Sequence, residues 1–292
     1  MMIKSFVAIF AVFVATVAAN THVIRLVNNT TSTLPKTFDA FVPSNISEFL
    51  ARATDPQPRF VPLTELRNPG IENAYKPSSD LAKKLETEPI LDHSIRMYYF
   101  SLLMLHSGFP SDTPGVPQIT REELLKRVFL TCILHDVGLS NDDFVLNHPA
   151  HAMSFELQGG ILAYEHLLET YPSKLNADEV GDIAQGIMLH TLNPTFTSGA
   201  ASAANFLVAQ SALFDLGGYG SLSPDFAKLF GALLSRDSVG EIEAAYPHGA
   251  VISEEFVTDI EGMLKQKPNC LLSHAPPNLL EVIGSVINLA DS

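Results

Sequence analysis

The sequence predicts an all-α protein, and three observations support this fold class. From Pro77 onward, apolar residues recur almost continuously at spacings of three and four, which is the period of a buried helix face. Helix-start signals precede several of these segments, as where Thr120 stands before REELLKR with Glu123 three residues on. Alternation typical of strands is scarce outside HVIRLV near residue 22.

The periodic segments predict ten helices. Asn176, three residues before Glu179, adds a further start signal, although a weaker one than Thr120. The chain has 292 residues, of which 46% are hydrophobic, enough for one sizeable core with or without an accessory arm. The predicted helices span about 79–88, 92–107, 121–136, 150–171, 177–191, 201–216, 223–235, 238–246, 252–266 and 276–290.

The charge of the chain argues against nucleic acid as a partner. The formal net charge is −14, and the 18 basic residues are scattered along the sequence. A phosphate-binding surface needs clustered Lys and Arg, so a small-molecule substrate is the better expectation. A homo-oligomer is left open.

The first 19 residues have the pattern of a secretory signal peptide. Lys4 supplies a positive start, Phe6–Val17 an apolar stretch, and the small residues up to Ala19 a cleavage site. The stretch is short for a membrane-spanning helix, although a retained anchor is the alternative. We therefore expect a secreted or secretory-pathway protein without stable membrane association after cleavage.

Residues 20–60 are predicted to form an N-terminal arm, and residues 61–292 the main domain. The arm is rich in Thr, Asn, Pro and Ser, which is typical of a mobile or loosely docked segment. N-glycosylation sequons begin at Asn28, Asn29 and Asn45, in agreement with an exported glycoprotein.

Four polar residues at predicted helix ends suggest a metal site. His93 is expected to open the helix HSIRMYYFSLLM, and Asp215 to close NFLVAQSALFDLGGYG. His135 and Asp136 end the apolar run VFLTCILHDVG. Consecutive helical residues point about 100° apart, so both can reach one ion only near a helix end, where Gly138 lets the chain turn. Two imidazoles and two carboxylates suit a divalent metal that keeps one position open for water.

Taken singly, each of these residues has an ordinary explanation. A histidine that starts a helix is usually a cap or a surface residue, and an aspartate before Gly-Gly usually serves the local loop. The apolar surroundings favour the joint interpretation, since buried polar groups after ALF and CIL need partners.

The order of one His, a His-Asp doublet and a distant Asp resembles the HD metal-dependent hydrolase superfamily. Within it, LDHSIRMYYFSLLM, LTCILHDVGLS, SFELQGGILAYEHLL, IAQGIMLHT and LVAQSALFDLGGYG look like the successive motifs of the cyanamide hydratase family. The resemblance covers roughly residues 60–290 and implies an HD-domain helical bundle around a metal site over residues 61–292.

The resemblance also implies the ligands and the reaction. The metal ligands would be His93, His135, Asp136 and Asp215, around one divalent ion, with zinc first and iron as the alternative. His190 and Thr191 match the pocket motif near the substrate, and Asp136 is expected to act in catalysis as well. Glu156, in SFELQGG, is expected to support the site or the fold. The family reaction is hydration of cyanamide to urea.

Two positions depart from the family pattern. The family's YPR is Tyr246-Pro247-His248 here, and its KPW is Lys267-Pro268-Asn269 in a chain without Trp. We expect these changes to reshape the pocket, so a related nitrile-like compound is kept beside cyanamide as the substrate.

The expected mechanism uses a water whose pKa a metal lowers toward about 7. The resulting hydroxide attacks the nitrile carbon, and the developing charge on nitrogen takes a proton from His190. The alternative for His190 is a buried histidine bonded to a carbonyl. Thr191 would orient water or substrate, unless it bonds back to its own helix.

Three competing interpretations stay open. The protein could be an HD-type phosphohydrolase that uses Arg96 or Arg127 for phosphate, although both could be surface residues. It could be a secreted interaction protein without catalysis, since fold does not prove function. Finally, extra histidines before Asp215 could bind a second metal, namely His148, His151 and His166.

Overall fold

The computed structural model describes residues 34–191, 200–220, 224–248 and 251–274. Within them lie thirteen α-helices and four three-residue strands. The helices are α1 (Ile46–Arg52), α2 (Leu63–Leu66), α3 (Pro69–Ala74), α4 (Lys76–Leu85), α5 (Glu88–His106), α6 (Arg121–Leu134), α7 (Asp143–Leu146), α8 (Phe155–Thr170), α9 (Ala177–Leu189), α10 (Ala203–Gly217), α11 (Pro224–Leu233), α12 (Arg236–Ala245) and α13 (Val251–Gln266). The strands are β1 (Thr37–Asp39), β2 (Phe41–Pro43), β3 (Gln118–Thr120) and β4 (Ala200–Ser202).

This architecture confirms the predicted all-α class. Nine of the ten predicted helices have a counterpart, with ends displaced by up to five residues. The tenth, at 276–290, lies outside the described residues, as do the signal peptide and the sequons at Asn28 and Asn29. No described helix has the length and hydropathy that a membrane crossing would require.

Helix α5 is the centre of the bundle. It packs against α6 on one side and α10 on the other, and α9 fills the space among α6, α8 and α10. Its residues from Met97 to Leu105 are all buried, so α5 has no solvent face over this stretch. A helix that is buried all round gives a rigid element from which site residues can project.

The expectation of a loosely docked arm is wrong for residues 34–60. Phe38, Val42 and Phe49 are fully buried in the main core. Strand β1 pairs antiparallel with β3, and β2 with β4, so this segment also gains backbone hydrogen bonds from distant parts of the chain. Burial of each large apolar side chain is worth about 1.5–3 kcal/mol, which outweighs the polar composition around it.

The predicted helix starts are confirmed at two positions. The Thr120 hydroxyl accepts the Glu123 N–H at 3.2 Å, although the Glu123 side chain pairs with Arg127 instead of closing a capping box. Asn176 and Glu179 form a complete capping box, which makes this start stronger than expected. The reciprocal bonds of that box satisfy two otherwise free N–H groups of α9.

His93 does not open its helix as predicted. Helix α5 begins at Glu88, with Pro89 in its first turn, so His93 lies one turn further in. Proline is favoured in the first turn because its missing N–H would have no partner there. The earlier start places His93 against the end of α6, where His135 lies.

The turn after α6 depends on a close approach between backbones. His135 ends α6, and Asp136 precedes the short 3₁₀ helix Val137–Leu139. A Cβ at Gly138 would lie 2.1 Å from the Phe155 carbonyl oxygen, so only glycine lets α8 pack here. The glycine singled out in the sequence thus permits the close packing of α8 against the turn that follows Asp136.

Candidate metal centre

Three of the four predicted metal ligands converge at this turn. His93, His135 and Asp136 are each at most 3% exposed. One potential ligand atom from each lies within 4.8 Å of those of the other two. Among the described residues, these three side chains form the group of histidines and acids that is close enough together to hold a metal ion.

The tautomers of two nearby imidazoles are fixed by backbone carbonyls. His135 Nδ1 lies 2.7 Å from the Cys132 oxygen, and His190 Nδ1 lies 2.6 Å from the Ile187 oxygen. Because a carbonyl only accepts, each Nδ1 must donate, and each neutral ring keeps a lone pair on Nε2. The alternative considered for His190, a histidine bonded to a carbonyl, is therefore confirmed for Nδ1, and that bond does not involve Nε2.

The third imidazole is held in the same way by a carboxylate. His93 Nδ1 donates to Asp215 Oδ2 at 2.6 Å, and its Nε2 lies on the side of Asp136, 4.0 Å from Oδ2. Metal-binding histidines commonly use their second nitrogen in this manner, since it fixes the ring and its tautomer.

All three Nε2 atoms face the carboxylate of Asp136. The distances are 3.1 Å from His135 and 4.0 Å from His93 to Oδ2, and 3.8 Å from His190 to Oδ1. Both Asp136 oxygens and the His135 Nε2 are buried without a hydrogen bond. Acceptors that face each other in a dry site repel, so a cation between them, either a proton or a metal ion, would relieve the site. A divalent metal fits these donors in number and chemical type.

The pKa values respond to the same crowding. Burial opposes ionisation of Asp136, but the neighbouring imidazoles prevail and lower its pKa to about 2. For His135, burial favours the neutral ring, whereas the Asp136 charge raises the pKa overall. Burial lowers the pKa of His190 to about 4, with His135 adding to the effect. A proton or a metal ion must therefore share the space beside Asp136.

Asp215 lies behind His93, where its oxygens are already occupied. The Arg96 guanidinium donates to Oδ1 from Nε and to Oδ2 from Nη2, both at 2.7 Å. His248 Nε2 adds a contact of 3.0 Å to Oδ1. Burial opposes the charge, but Arg96 holds the pKa of Asp215 well below its usual range. These contacts favour a supporting role for Asp215, and its role as a fourth metal ligand stays a prediction.

Arg96 was missed as part of the site. The sequence suggested either a phosphate-binding arginine or a surface residue, but its side chain is fully buried on the Asp215 carboxylate. It also donates to the carbonyl oxygens of Tyr246 and Pro247, which ties the segment after α12 to α5. Arg127 pairs with Glu123 and Asp182. Both arginines are thus committed to carboxylates.

The remaining predicted residues lie around this centre or outside it. Thr191 is exposed at the end of α9, beside His190. Glu156 is fully buried, with Oε1 accepting from the Ser154 hydroxyl at 2.7 Å, as a supporting residue would be. Of the two departures from the family pattern, His248 touches Asp215, whereas Asn269 is exposed.

The histidines considered for a second metal have other contacts. His148 caps the short helix at 149–152 and lies 3.1 Å from Glu165. His166 contacts Ser78 and Thr170. Together with His151, they stand outside the group of described residues that could hold a metal. The two-metal interpretation therefore gains no support from this part of the chain.

A cavity of about 350 Å³ reaches Asp136 from the surface. Its wall comes from the junction of α4 and α5 and from the segment after Asp136, with Glu86, Leu139 and Asn141 among its residues. A larger cavity, of about 720 Å³, lies between α9 and the strands β3 and β4. It contains Arg127, the residue considered for phosphate, but none of the predicted metal ligands and neither His190 nor Thr191.

Sequence reasoning also missed Glu86 and Ser94. Glu86 Oε1 is buried without a hydrogen-bond partner, and Oε2 accepts from the Ser94 hydroxyl at 3.4 Å. Glu86 lies in LETEPI, where it is one of several acids near a helix boundary. Nothing in its own segment distinguishes it, because its position beside Asp136 depends on how α4 packs against α6.

Comparison with known proteins adds a distant similarity. No protein-family model matches the chain. Two Saccharomyces cerevisiae proteins, cyanamide hydratase DDI2 and cyanamide hydratase DDI3, are each 29% identical to it over 149 residues. The match covers 51% of this chain and 57% of each relative, so the chain spans just over half the length of the curated relatives it matches. Membership of the HD superfamily stays a prediction.

Proposed function

We propose that this protein is a metal-dependent hydratase of the HD type that adds water to a small nitrile-like substrate such as cyanamide, giving urea. The observation that carries the proposal is the convergence of three imidazole Nε2 atoms on the buried Asp136 carboxylate, neither of whose oxygens makes a well-aligned hydrogen bond. The similarity to two yeast cyanamide hydratases supports the same reaction class.

The metal would be held by His93, His135 and Asp136, with zinc as the first expectation and iron as the alternative. When bound, such an ion polarises the substrate and supplies a nucleophilic water at neutral pH. Asp215 and Arg96 keep the His93 ring in the required tautomer. Asp136 would offset part of the positive charge of the ion, and the turn at Gly138 holds the backbone that follows Asp136 against α8.

The charge of the cavity favours a neutral substrate over a phosphate ester. Three of its acidic residues, Glu86, Asp142 and Asp259, accompany Asp136 in the wall. Its basic residue Lys84 lies 3.7 Å from Asp142. Among the described residues, no arginine lines this cavity, since both candidate arginines are paired elsewhere, and the acidic residues offset the positive charge that a bound metal would add. These observations favour the hydratase over the phosphohydrolase.

His190 is better suited to accept a proton than to be the initial donor. Its Nδ1 hydrogen is used by the Ile187 carbonyl, so Nε2 presents a lone pair toward Asp136. In the proposed reaction, His190 removes a proton from water as the oxygen bonds to the nitrile carbon. The same proton then passes to the nitrile nitrogen as C≡N becomes C=N, and tautomerisation gives the amide. Thr191, next to it, would orient the substrate.

We also propose that the protein is exported. The signal-peptide pattern of residues 1–19 supports this, and the sequon residue Asn45 is exposed at the start of α1. N-terminal sequencing of protein from a eukaryotic host should begin near Asn20, with glycan on the first mature residues. An intact Met1 on unglycosylated protein would contradict it.

Metal analysis combined with a substrate panel tests the proposed function. Purified protein should contain about one equivalent of zinc or iron and should release urea from cyanamide. A panel of phosphomonoesters and phosphodiesters, assayed with the same metal-loaded sample, serves as the comparison. Hydrolysis of a phosphate ester without hydration of any nitrile would replace the hydratase by the phosphohydrolase. Metal-free protein that catalyses neither would favour the non-catalytic interaction protein.

A further inference from the structure

We infer that Glu86 determines substrate specificity by accepting a hydrogen bond from an N–H group of the substrate held beside Asp136. The inference rests on the proposed function and defines its substrate class as small neutral or cationic molecules with an N–H donor next to the reacting carbon. An amino-nitrile such as cyanamide belongs to this class, whereas its N,N-dialkyl derivatives and all anions are outside it.

The backbone of Glu86 is fixed on both sides. Glu86 ends α4 in an extended conformation, and its N–H donates to the Ala82 carbonyl at 2.8 Å. Two residues later the chain enters α5, whose N-terminal turn carries Ile90 in a buried cluster with Phe155. The carboxyl group is thus presented from a short connection between two packed helices, which suits a precise contact.

One carboxylate oxygen of Glu86 accepts a hydrogen bond, and the other has none. Glu86 Oε2 accepts from the Ser94 hydroxyl, whose oxygen also lies 3.4 Å from His135 Nδ1. Glu86 Oε1 is buried without a hydrogen bond, although the residue lines the cavity that reaches Asp136. A buried acceptor without a partner costs about 1–3 kcal/mol, so a ligand that fills this gap gains the corresponding stabilisation.

The local charge selects the kind of ligand. Burial and, next, the charge of Asp136 raise the pKa of Glu86 well above its usual value. Burial says nothing about the sign of the potential, but the Asp136 charge and the unpaired Glu86 oxygen both favour a hydrogen-bond donor over a carboxylate or phosphate oxygen beside Glu86. An N–H group of the substrate relieves both the unpaired oxygen and the crowding of charge.

The test compares cyanamide with N,N-dimethylcyanamide, which has the nitrile but no N–H. The variants are Glu86→Leu, which removes the acceptor, and Glu86→Gln, which keeps a carbonyl oxygen. Glu88→Leu is the matched control, since Glu88 is exposed two residues away. Metal content and melting temperature are recorded for every variant, and kcat/KM is measured for both compounds.

We expect Glu86→Leu to lower the cyanamide-to-dimethylcyanamide ratio of kcat/KM by about 10- to 100-fold, the range expected when a buried hydrogen-bond acceptor is lost. Glu86→Gln should retain more of the ratio, and Glu88→Leu should leave it unchanged. An unchanged ratio in metal-loaded, folded Glu86→Leu, or an equal loss on both compounds, would overturn the inference while the hydratase function stood. A wild-type protein that hydrates neither compound would overturn the proposed function, and the inference with it.

Discussion

Two buried aspartates on either side of His93 are treated in opposite ways by the fold. Asp215 accepts hydrogen bonds from the guanidinium of Arg96 and from His93, and it contacts His248. Asp136 is equally buried, but neither of its oxygens has a hydrogen bond. The same side chain is therefore hydrogen-bonded by the protein in one place, whereas in the other it faces three imidazoles without a hydrogen bond.

This difference suggests different roles for the two aspartates, with Asp215 orienting His93 and Asp136 proposed to bind the metal. Burial of a carboxylate costs several kcal/mol unless a partner compensates it, so an unpaired one persists where function requires it. Arg96 removes the cost at Asp215 and thereby fixes the His93 ring. At Asp136 the three imidazoles lower the pKa of the carboxylate, but none of them gives it a well-aligned hydrogen bond. The first carboxylate organises the site, and the second is where we place the metal.

The largest expected effect is on catalysis at the open side. His190→Ala should keep the metal, because His93, His135 and Asp136 are unchanged, but should lower the rate of cyanamide hydration about 10²- to 10⁴-fold. His148→Ala is the control, since His148 contacts Glu165 away from the centre. Steady-state urea release with elemental analysis of both variants checks this. Loss of the metal in His190→Ala would instead identify His190 as a ligand.

The next effect is on stability at the closed side. Arg96→Leu leaves the Asp215 charge buried and uncompensated, so we expect the free energy of unfolding to fall by about 3–5 kcal/mol. Arg127→Leu, which breaks the pairs of a partly exposed arginine with Glu123 and Asp182, should cost only about 1 kcal/mol. Urea denaturation followed by circular dichroism measures both. Equal losses would mean that Asp215 is not held mainly by Arg96.

The smallest effect is expected at the open side in the absence of metal. Asp136→Asn removes a buried carboxylate whose pKa the neighbouring imidazoles lower, so metal-free protein should lose about 1–3 kcal/mol of stability, less than Asp215→Asn loses. Asp215→Asn, under the same conditions, should be clearly destabilised because Arg96 loses its partner. Chemical denaturation in the presence of a chelator compares the two. If Asp136→Asn were the more damaging change, the contrast between the two carboxylates would be wrong.

The sequence predicted the parts of this arrangement that are local. The apolar run before His135 and the glycine after Asp136 were enough to place the doublet at a helix end, because packing periodicity and turn chemistry act over a few residues. The helical class followed from the same periodicity. The start of the helix that carries His93 was predicted about one turn too late along the chain, because Pro89 can either end a helix or start one.

The parts that were missed depend on distant contacts. Arg96 and Asp215 are 119 residues apart, so their pairing cannot be seen in either segment. Glu86 reaches the cavity only through the packing of α4, and Phe38 joins the core only once β1 pairs with β3. Composition described the segment around Phe38 as an arm, because it averages over residues and hides three large apolar side chains.

The most direct test of the account is the metal content of Asp136→Asn beside that of the wild-type protein. Both proteins are stripped with a chelator, reloaded with zinc and dialysed before elemental analysis. We predict about one equivalent in the wild type and almost none in Asp136→Asn, with both proteins folded, because the carboxylate that all three imidazoles face is then an amide. One equivalent of zinc in both proteins would contradict the assignment of Asp136 as the centre of the metal site.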